Sequence, residues 1–140
     1  MFGPHLTLDL YSCDEAKLSD TKFIYNILDQ LPNFIDMTKI SEPNVIFHEG
    51  NPKSFDKGGI SAFVIIAESH ISIHTFRGYG FASVDIFSCK PFDVKKAQEY
   101  LIEKFGAKKA EKHVISRGRE FPKDAEKVNN IMIKERKSFS

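Results

Sequence analysis

The chain opens with a segment, His5 to Cys13, in which apolar and polar residues alternate. Leucines occupy every second position there, with Thr7 and Asp9 between them. This period of two predicts a strand with one buried face. Val45 to His48, short and β-branched at its start, predicts a second strand. Asn51 to Gly59 contains proline, serine, aspartate and adjacent glycines, which favour a loop.

Two other segments have the spacing of amphipathic helices. In the first, from about Ser19 to Leu31, isoleucines and leucines recur at three- and four-residue intervals, and Ser19 or Asp20 can cap the first turn. Pro32 is expected to follow the end of this helix. The second helix runs from Phe92 to Phe105, and Gly106 is expected to stop it.

The centre of the chain has the strongest strand pattern. Ser61 to Ala67 is apolar almost throughout, which predicts a strand covered on both faces or nearly so. Ser69 to Thr75 alternates again, and a glycine-containing turn, Arg77 to Gly80, follows it. Phe81 to Cys89 and Ala110 to Ser116 complete the predicted strands.

This order of elements predicts an α+β fold: a mostly antiparallel sheet with two helices packed on one face. The other face of the sheet then needs cover, which a second subunit would supply. Residues 1–122 are expected to form a single domain, and residues 123–140 a charged C-terminal tail rich in lysine, glutamate and asparagine.

Composition narrows the classes of function. A formal net charge of +1 gives no electrostatic reason to expect a nucleic acid or an anionic membrane as partner. No apolar run approaches the roughly 18 residues that a membrane span needs, and the start lacks a signal-peptide pattern, so a cytoplasmic location is expected. Cys13 and Cys89 form no disulfide framework and are expected to be free thiols.

Serine and histidine are concentrated in one predicted strand segment, Ala67 to Thr75. Residue types alone favour structural or surface roles for them, because no GxSxG nucleophile motif is present. His70 and His74 resemble a metal pair only on a helix. On a strand they lie roughly 13 Å apart, so no metal site is expected.

A longer block, Gly58 to Cys89, resembles the core signature of the prokaryotic S-adenosylmethionine decarboxylases, which depend on a pyruvoyl group. The resemblance extends to Gly3–Leu6, Leu10–Asp14 and Arg117–Arg119, and covers most of the chain up to about residue 120. It implies the fold of that family, a homodimer of cleaved protomers and a small amino-acid substrate. S-adenosylmethionine would be decarboxylated for spermidine and other polyamine biosynthesis.

The resemblance also implies an inactive precursor that cuts itself between Glu68 and Ser69, with Ser69 converted into the covalent pyruvoyl cofactor. His74 and Ser61 would assist this processing. The chemistry suits these residue types: the serine hydroxyl attacks the Glu68 carbonyl to give an ester that undergoes β-elimination. A histidine can carry the protons, because its ordinary pKa is near neutrality.

Turnover would use two further residues. Cys89 matches the family's proton donor, and Phe55 matches an aromatic residue that stacks on the substrate's adenine. Decarboxylation leaves a carbanion, and a pyruvoyl carbonyl that forms a Schiff base with the substrate amine can receive those electrons. Cys13 has no implied role beyond structure.

The chain departs from the family in one turn. Family members usually read HTWPEYG where this chain has His74 to Gly80, so Arg77 and Gly78 replace proline and glutamate. That glutamate typically binds the ribose hydroxyls of S-adenosylmethionine. Three interpretations follow: another residue binds the ribose, the substrate is L-arginine or L-ornithine, or the chain is a non-catalytic binding module that retained the fold.

Overall fold

The computed structural model describes residues 3–51 and 53–121, so the predicted tail, residues 123–140, lies outside the described residues. The described part contains three helices and seven strands. In chain order they are β1 Gly3–Tyr11, α1 Glu15–Leu18, α2 Thr21–Phe34, β2 Thr38–Lys39, β3 Asn44–His48, β4 Gly59–Ala67, β5 Ser69–Phe76, β6 Phe81–Phe87, α3 Val94–Phe105 and β7 Lys109–Arg117.

The strands form one sheet in which every pair among the described residues is antiparallel. Their order is β2-β4-β5-β6-β1-β7, and β3 pairs with β4 beside β2. The N-terminal strand β1 therefore lies between β6 and β7, which come from the second half of the chain. The predicted α+β fold with a mostly antiparallel sheet is confirmed.

Helices α2 and α3 share one core with a single face of the sheet. Alternation turns every second side chain of β1, β4, β5 and β6 toward them. Asp20 caps α2 by accepting from the Phe23 N–H, and Gly106 ends α3 in the left-handed conformation at φ 63°. The fully buried core residues include Leu6, Leu8, Leu10, Ile24, Leu28, Leu31, Ile60, Val64, Ile66, Ile71, Ile73, Val84, Ile86, Leu101 and Phe105.

Some boundaries differ from the sequence-based predictions. Pro32 does not follow α2 but lies inside it, because the helix continues to Phe34 and buries Leu31 and Ile35 against the core. A proline near the C-terminal end of a helix removes one N–H donor, and packing offsets that loss. Helix α1 and strand β2 were not predicted, since elements of four and two residues carry no periodic signal.

The opposite face of the sheet, called here the open face, has no helix packed on it. The prediction that β4 is covered on both faces is wrong for the single chain, because Phe63 and Ile65 are 43% and 38% exposed on the open face. Apolar residues of neighbouring strands share this face, namely Ile46, Phe76 and Ile115. No helix among the described residues is long and apolar enough to cross a membrane.

Candidate active site

The tip of the β4–β5 hairpin brings a hydroxyl against a main-chain carbonyl. Ile66 and Ser69 pair across the strands, so only Ala67 and Glu68 make the turn. The Ser69 hydroxyl donates a hydrogen bond to the carbonyl oxygen of Glu68, and the Cys89 N–H donates to Ser69 Oγ at 2.9 Å. An oxygen nucleophile thus lies beside the acyl group of the preceding residue, oriented by an amide donor.

The β5–β6 hairpin explains why Cys89 reaches Ser69. Phe76 pairs with Phe81 beside the turn, and His70 pairs with Phe87 at the other end. This register returns the chain past Ser69, where Cys89 Sγ lies 3.9 Å from a carboxylate oxygen of Glu68. The contact could have been found from the sequence, because a hairpin centred on the Arg77–Gly80 turn places Ser69 opposite Ser88, next to Cys89.

Ser61 and His74 form a second cluster on the open face. They are opposed across β4 and β5, and Ser61 Oγ lies 3.0 Å from His74 Nδ1. His74 is five residues from Ser69 along β5, which corresponds to about 16 Å between their Cα atoms. Within one chain, Ser61 and His74 therefore lie too far from Ser69 to contact it.

Phe55 lies near the far end of β5, where an aromatic cluster lines a surface cleft. Phe55 is 72% exposed, and its ring stacks on that of Tyr79 with the ring centroids 4.7 Å apart. The Tyr79 hydroxyl donates to the Phe55 carbonyl at 2.9 Å, and Phe76 lines the same cleft. Ser69 and Phe76 are seven residues apart on β5, or about 23 Å, so Phe55 is also remote from Ser69 of its own chain.

The turn that differs from the family pattern, Arg77 to Gly80, is held by the carboxylate of Glu15. The sequence pattern did not single out this residue. Glu15 accepts from the Gly78 N–H at 3.0 Å and from the Gly80 N–H at 2.7 Å. Gly78 has φ 84°, and a Cβ added there would lie 3.0 Å from Lys57 Cδ. A glutamate at position 78 is therefore strained in this conformation.

The other cysteine, Cys13, is packed in the hydrophobic core. Cys13 is 7% exposed and its thiol donates to the Leu10 carbonyl at 3.6 Å. Burial, reinforced by the charge of Glu15, raises the pKa of the Cys13 thiol to about 11. Among residues 3–51 and 53–121, no group of three His, Cys, Asp or Glu side chains is arranged to bind a metal ion.

Comparison with known proteins gives a consistent result. Residues 4–118 match the family model described as S-adenosylmethionine decarboxylase. An S-adenosylmethionine decarboxylase proenzyme of Thermodesulfovibrio yellowstonii is 42% identical over 107 residues, covering 76% of this chain and 73% of that protein. A proenzyme of the same name from Clostridium botulinum is 38% identical over 118 residues, covering 84% and 95%.

A solved structure supports the same relation. The crystal structure of the adenosylmethionine decarboxylase from Aquifex aeolicus VF5 superposes with a TM-score of 0.66 at 30% identity. The match covers 83% of this chain and 90% of that one.

Proposed function

Since the chain belongs to the S-adenosylmethionine decarboxylase family, we propose that it cuts itself between Glu68 and Ser69 and then decarboxylates S-adenosylmethionine, the step that supplies decarboxylated S-adenosylmethionine for polyamine synthesis. The observation that carries the proposal is the contact between the Ser69 hydroxyl and the Glu68 carbonyl at the hairpin tip. The relatives reported above are named for S-adenosylmethionine.

The first reaction is an acyl shift within the chain. Ser69 Oγ forms a bond to the Glu68 carbonyl carbon, the bond from that carbon to the Ser69 nitrogen breaks, and the hydroxyl proton ends on the freed amine. The Cys89 N–H orients Ser69 Oγ for this attack. The resulting ester loses the new α-carboxylate of Glu68 by β-elimination, for which His74, paired with Ser61, takes the Ser69 Cα proton. The enamine left at residue 69 rearranges to an imine, and water hydrolyses the imine to the pyruvoyl carbonyl with loss of ammonia.

The hairpin tip fits a pyruvoyl group, because the serine that would form it lies at a turn and contacts the carbonyl it must attack. Such a group supplies the electron sink that amino-acid decarboxylation requires. Cys89 would return a proton to the substrate carbon from its thiol, which lies beside the position of Ser69. Phe55 would stack on the adenine ring from the aromatic cleft.

These roles require a second copy of the chain. Within one chain, His74 lies about 16 Å from Ser69 along β5. Phe55 lies farther still, beside Phe76 at the other end of that strand. A homodimer in which two open faces pack with their strands in opposite directions brings the Ser69 end of each sheet to the His74 end of the other. The exposed apolar side chains Phe63, Ile65 and Ile46 give this face the character of an interface.

The proposal is tested by mass and by turnover. Wild-type protein should separate into residues 1–68 and a second fragment that begins at a blocked residue 69, whereas Ser69→Ala should remain whole because a methyl group cannot attack. The cleaved protein should then release CO₂ from S-adenosylmethionine in an assay run in parallel with L-arginine and L-ornithine. An uncut wild-type chain after long incubation contradicts self-processing. Turnover of arginine or ornithine alone contradicts the substrate.

A further inference from the structure

Arg77, which stands where the family has proline, is attached to the loop that carries Phe55. We define the Phe55 loop as residues 49–51 and 53–58. Arg77 Nε donates to the Lys57 carbonyl at 2.7 Å, and one of its terminal nitrogens donates to the Glu49 carbonyl at 3.2 Å. The guanidinium therefore joins both ends of the loop to the β5–β6 turn.

The guanidinium of Arg77 also contacts an aromatic ring. Its central carbon lies 5.0 Å from the centre of the Phe47 ring, at the end of β3 where the loop begins. The Arg77 N–H donates to the Gly58 carbonyl at 3.2 Å, a hydrogen bond that proline cannot make. Arg77 thus makes three hydrogen bonds to the segment between β3 and β4, two from its side chain and one from its main chain, and one ring contact with β3.

The loop has hydrogen bonds of its own that set its shape but not its position on the sheet. Asn51 and Asp56 bond to each other through their main chains at 2.7 Å, and Asp56 accepts from the Gly58 N–H at 2.9 Å. The position of the loop on the sheet depends on its contacts with the turn, through Arg77 at the loop ends and the Tyr79 hydroxyl at Phe55, beside one contact of Asp56 with His48 of β3 at 3.9 Å.

We propose that Arg77 is a positioning residue for substrate binding: it fastens the Phe55 loop to the β5–β6 turn, so that the ring of Phe55 is in place for a nucleoside. The inference rests on the proposed function, because that function identifies the ligand as S-adenosylmethionine. In this role Arg77 acts through the loop and makes no contact with the substrate itself. Its guanidinium donors are directed to the main-chain carbonyls of Lys57 and Glu49, so the change from proline to arginine introduces a loop fastening.

Limited trypsin digestion tests the fastening without any substrate. Lys53 and Lys57 lie in the Phe55 loop and offer cleavage sites. In Arg77→Met, cleavage at these lysines should be about tenfold faster, because the loop loses two charge-assisted hydrogen bonds while an unbranched side chain remains at position 77. Lys22→Gln, which also removes one positive charge and one trypsin site but lies exposed on α2, should be cut at Lys53 and Lys57 at the wild-type rate. Unchanged digestion of Arg77→Met overturns the proposal.

Steady-state kinetics connect the fastening to the substrate. Arg77→Met should raise KM for S-adenosylmethionine by about tenfold, equivalent to about 1.4 kcal/mol, with kcat within about twofold and the extent of self-cleavage unchanged. Arg77→Lys should give an intermediate KM, since one ammonium group cannot match the planar fork. A fall in kcat with KM unchanged, or a loss of self-cleavage, overturns the positioning role.

A second variant keeps the attachment of the loop testable if Arg77→Met does not fold. Tyr79→Phe removes only the hydroxyl that bonds the Phe55 carbonyl, so it should also speed cleavage of the loop and raise KM. If wild-type protein turns over no S-adenosylmethionine, the proposed function fails, whereas the trypsin result still decides whether Arg77 fastens the loop.

Discussion

Cys89 brings two separable groups to the hairpin tip. Its main-chain N–H donates to Ser69 Oγ, and its thiol lies 3.9 Å from the Glu68 carboxylate. The first group survives substitution by any residue except proline, whereas the second is lost. Cys13, the other cysteine, is 7% exposed in the core and has a pKa of about 11, so its thiol stays protonated at neutral pH.

Replacing Cys89 by serine should therefore separate processing from turnover. Self-cleavage should persist because the amide donor remains. The decarboxylation rate should fall by about 100- to 10,000-fold, the usual contribution of a positioned general acid. Fragment formation on denaturing gels and CO₂ release by the same sample measure the two steps. Cys13→Ala serves as the control and should retain turnover. A wild-type rate in Cys89→Ser would refute the proton-donor role.

At the scale of elements, periodicity located the long strands and helices, whereas contacts distant in sequence could not be predicted. Alternation marks β5, yet nothing in it shows that the Thr75 hydroxyl donates to the Leu18 carbonyl at 2.6 Å and accepts from the Ile60 N–H at 2.8 Å. Gly59 is similar: a Cβ there would lie 2.0 Å from the Thr75 carbonyl oxygen. Such closeness depends on the packed register of β4 on β5.

In the candidate site, too, some features could be predicted from the sequence and others could not. Motif resemblance assigned roles to Ser69, His74 and Cys89, and hairpin register accounts for the contact of Ser69 with Cys89. Glu15 was not predicted to fix the turn, because a carboxylate in a one-turn helix has no distinguishing pattern. The separation of Ser69 from His74 follows from both residues belonging to one extended strand.

Thr75 should prove a junction of α1, β4 and β5. Thr75→Val keeps the shape of this buried side chain, which is 3% exposed, but leaves two polar groups without a partner. We expect a loss of about 2–4 kcal/mol in the free energy of unfolding. Thr75→Ser keeps the hydroxyl and should cost about 1 kcal/mol or less. Urea unfolding in the uncut Ser69→Ala background, at fixed protein concentration, gives both values; equal losses would contradict the junction.

At the scale of the whole molecule, the proposed homodimer would account both for the open face and for the separation of the candidate site residues. The polar side chains of this face form a band across β5, β6 and β1, in which Ser72, Asp85 and Thr7 share one row. Apolar residues lie around it, among them Phe63 and Ile115. A second sheet packed here would cover these side chains and complete two equivalent sites related by the two-fold axis.

Mixed dimers provide the direct measurement. Ser69→Ala lacks the nucleophile, and His74→Ala lacks the histidine, so each alone should remain uncut. When the two are produced together, a mixed dimer combines Ser69 of one chain with His74 of the other. With random pairing, about half of the His74→Ala chains should then be cut. Mass spectrometry distinguishes the two chains. No cutting in the mixture would mean that His74 does not act across the dimer.

The position of β1 in the sheet has a consequence for how the precursor matures. A cut after Glu68 would leave two polypeptides, one with β1 to β4 and the other with β5 to β7. Because β1 is inserted between β6 and β7, while β4 pairs with β5, three strand pairings join the two pieces: β4 with β5, β6 with β1, and β1 with β7. Neither piece can leave without opening the sheet. Folding therefore has to precede scission, and the covalent connection that guided assembly becomes dispensable once the sheet has formed.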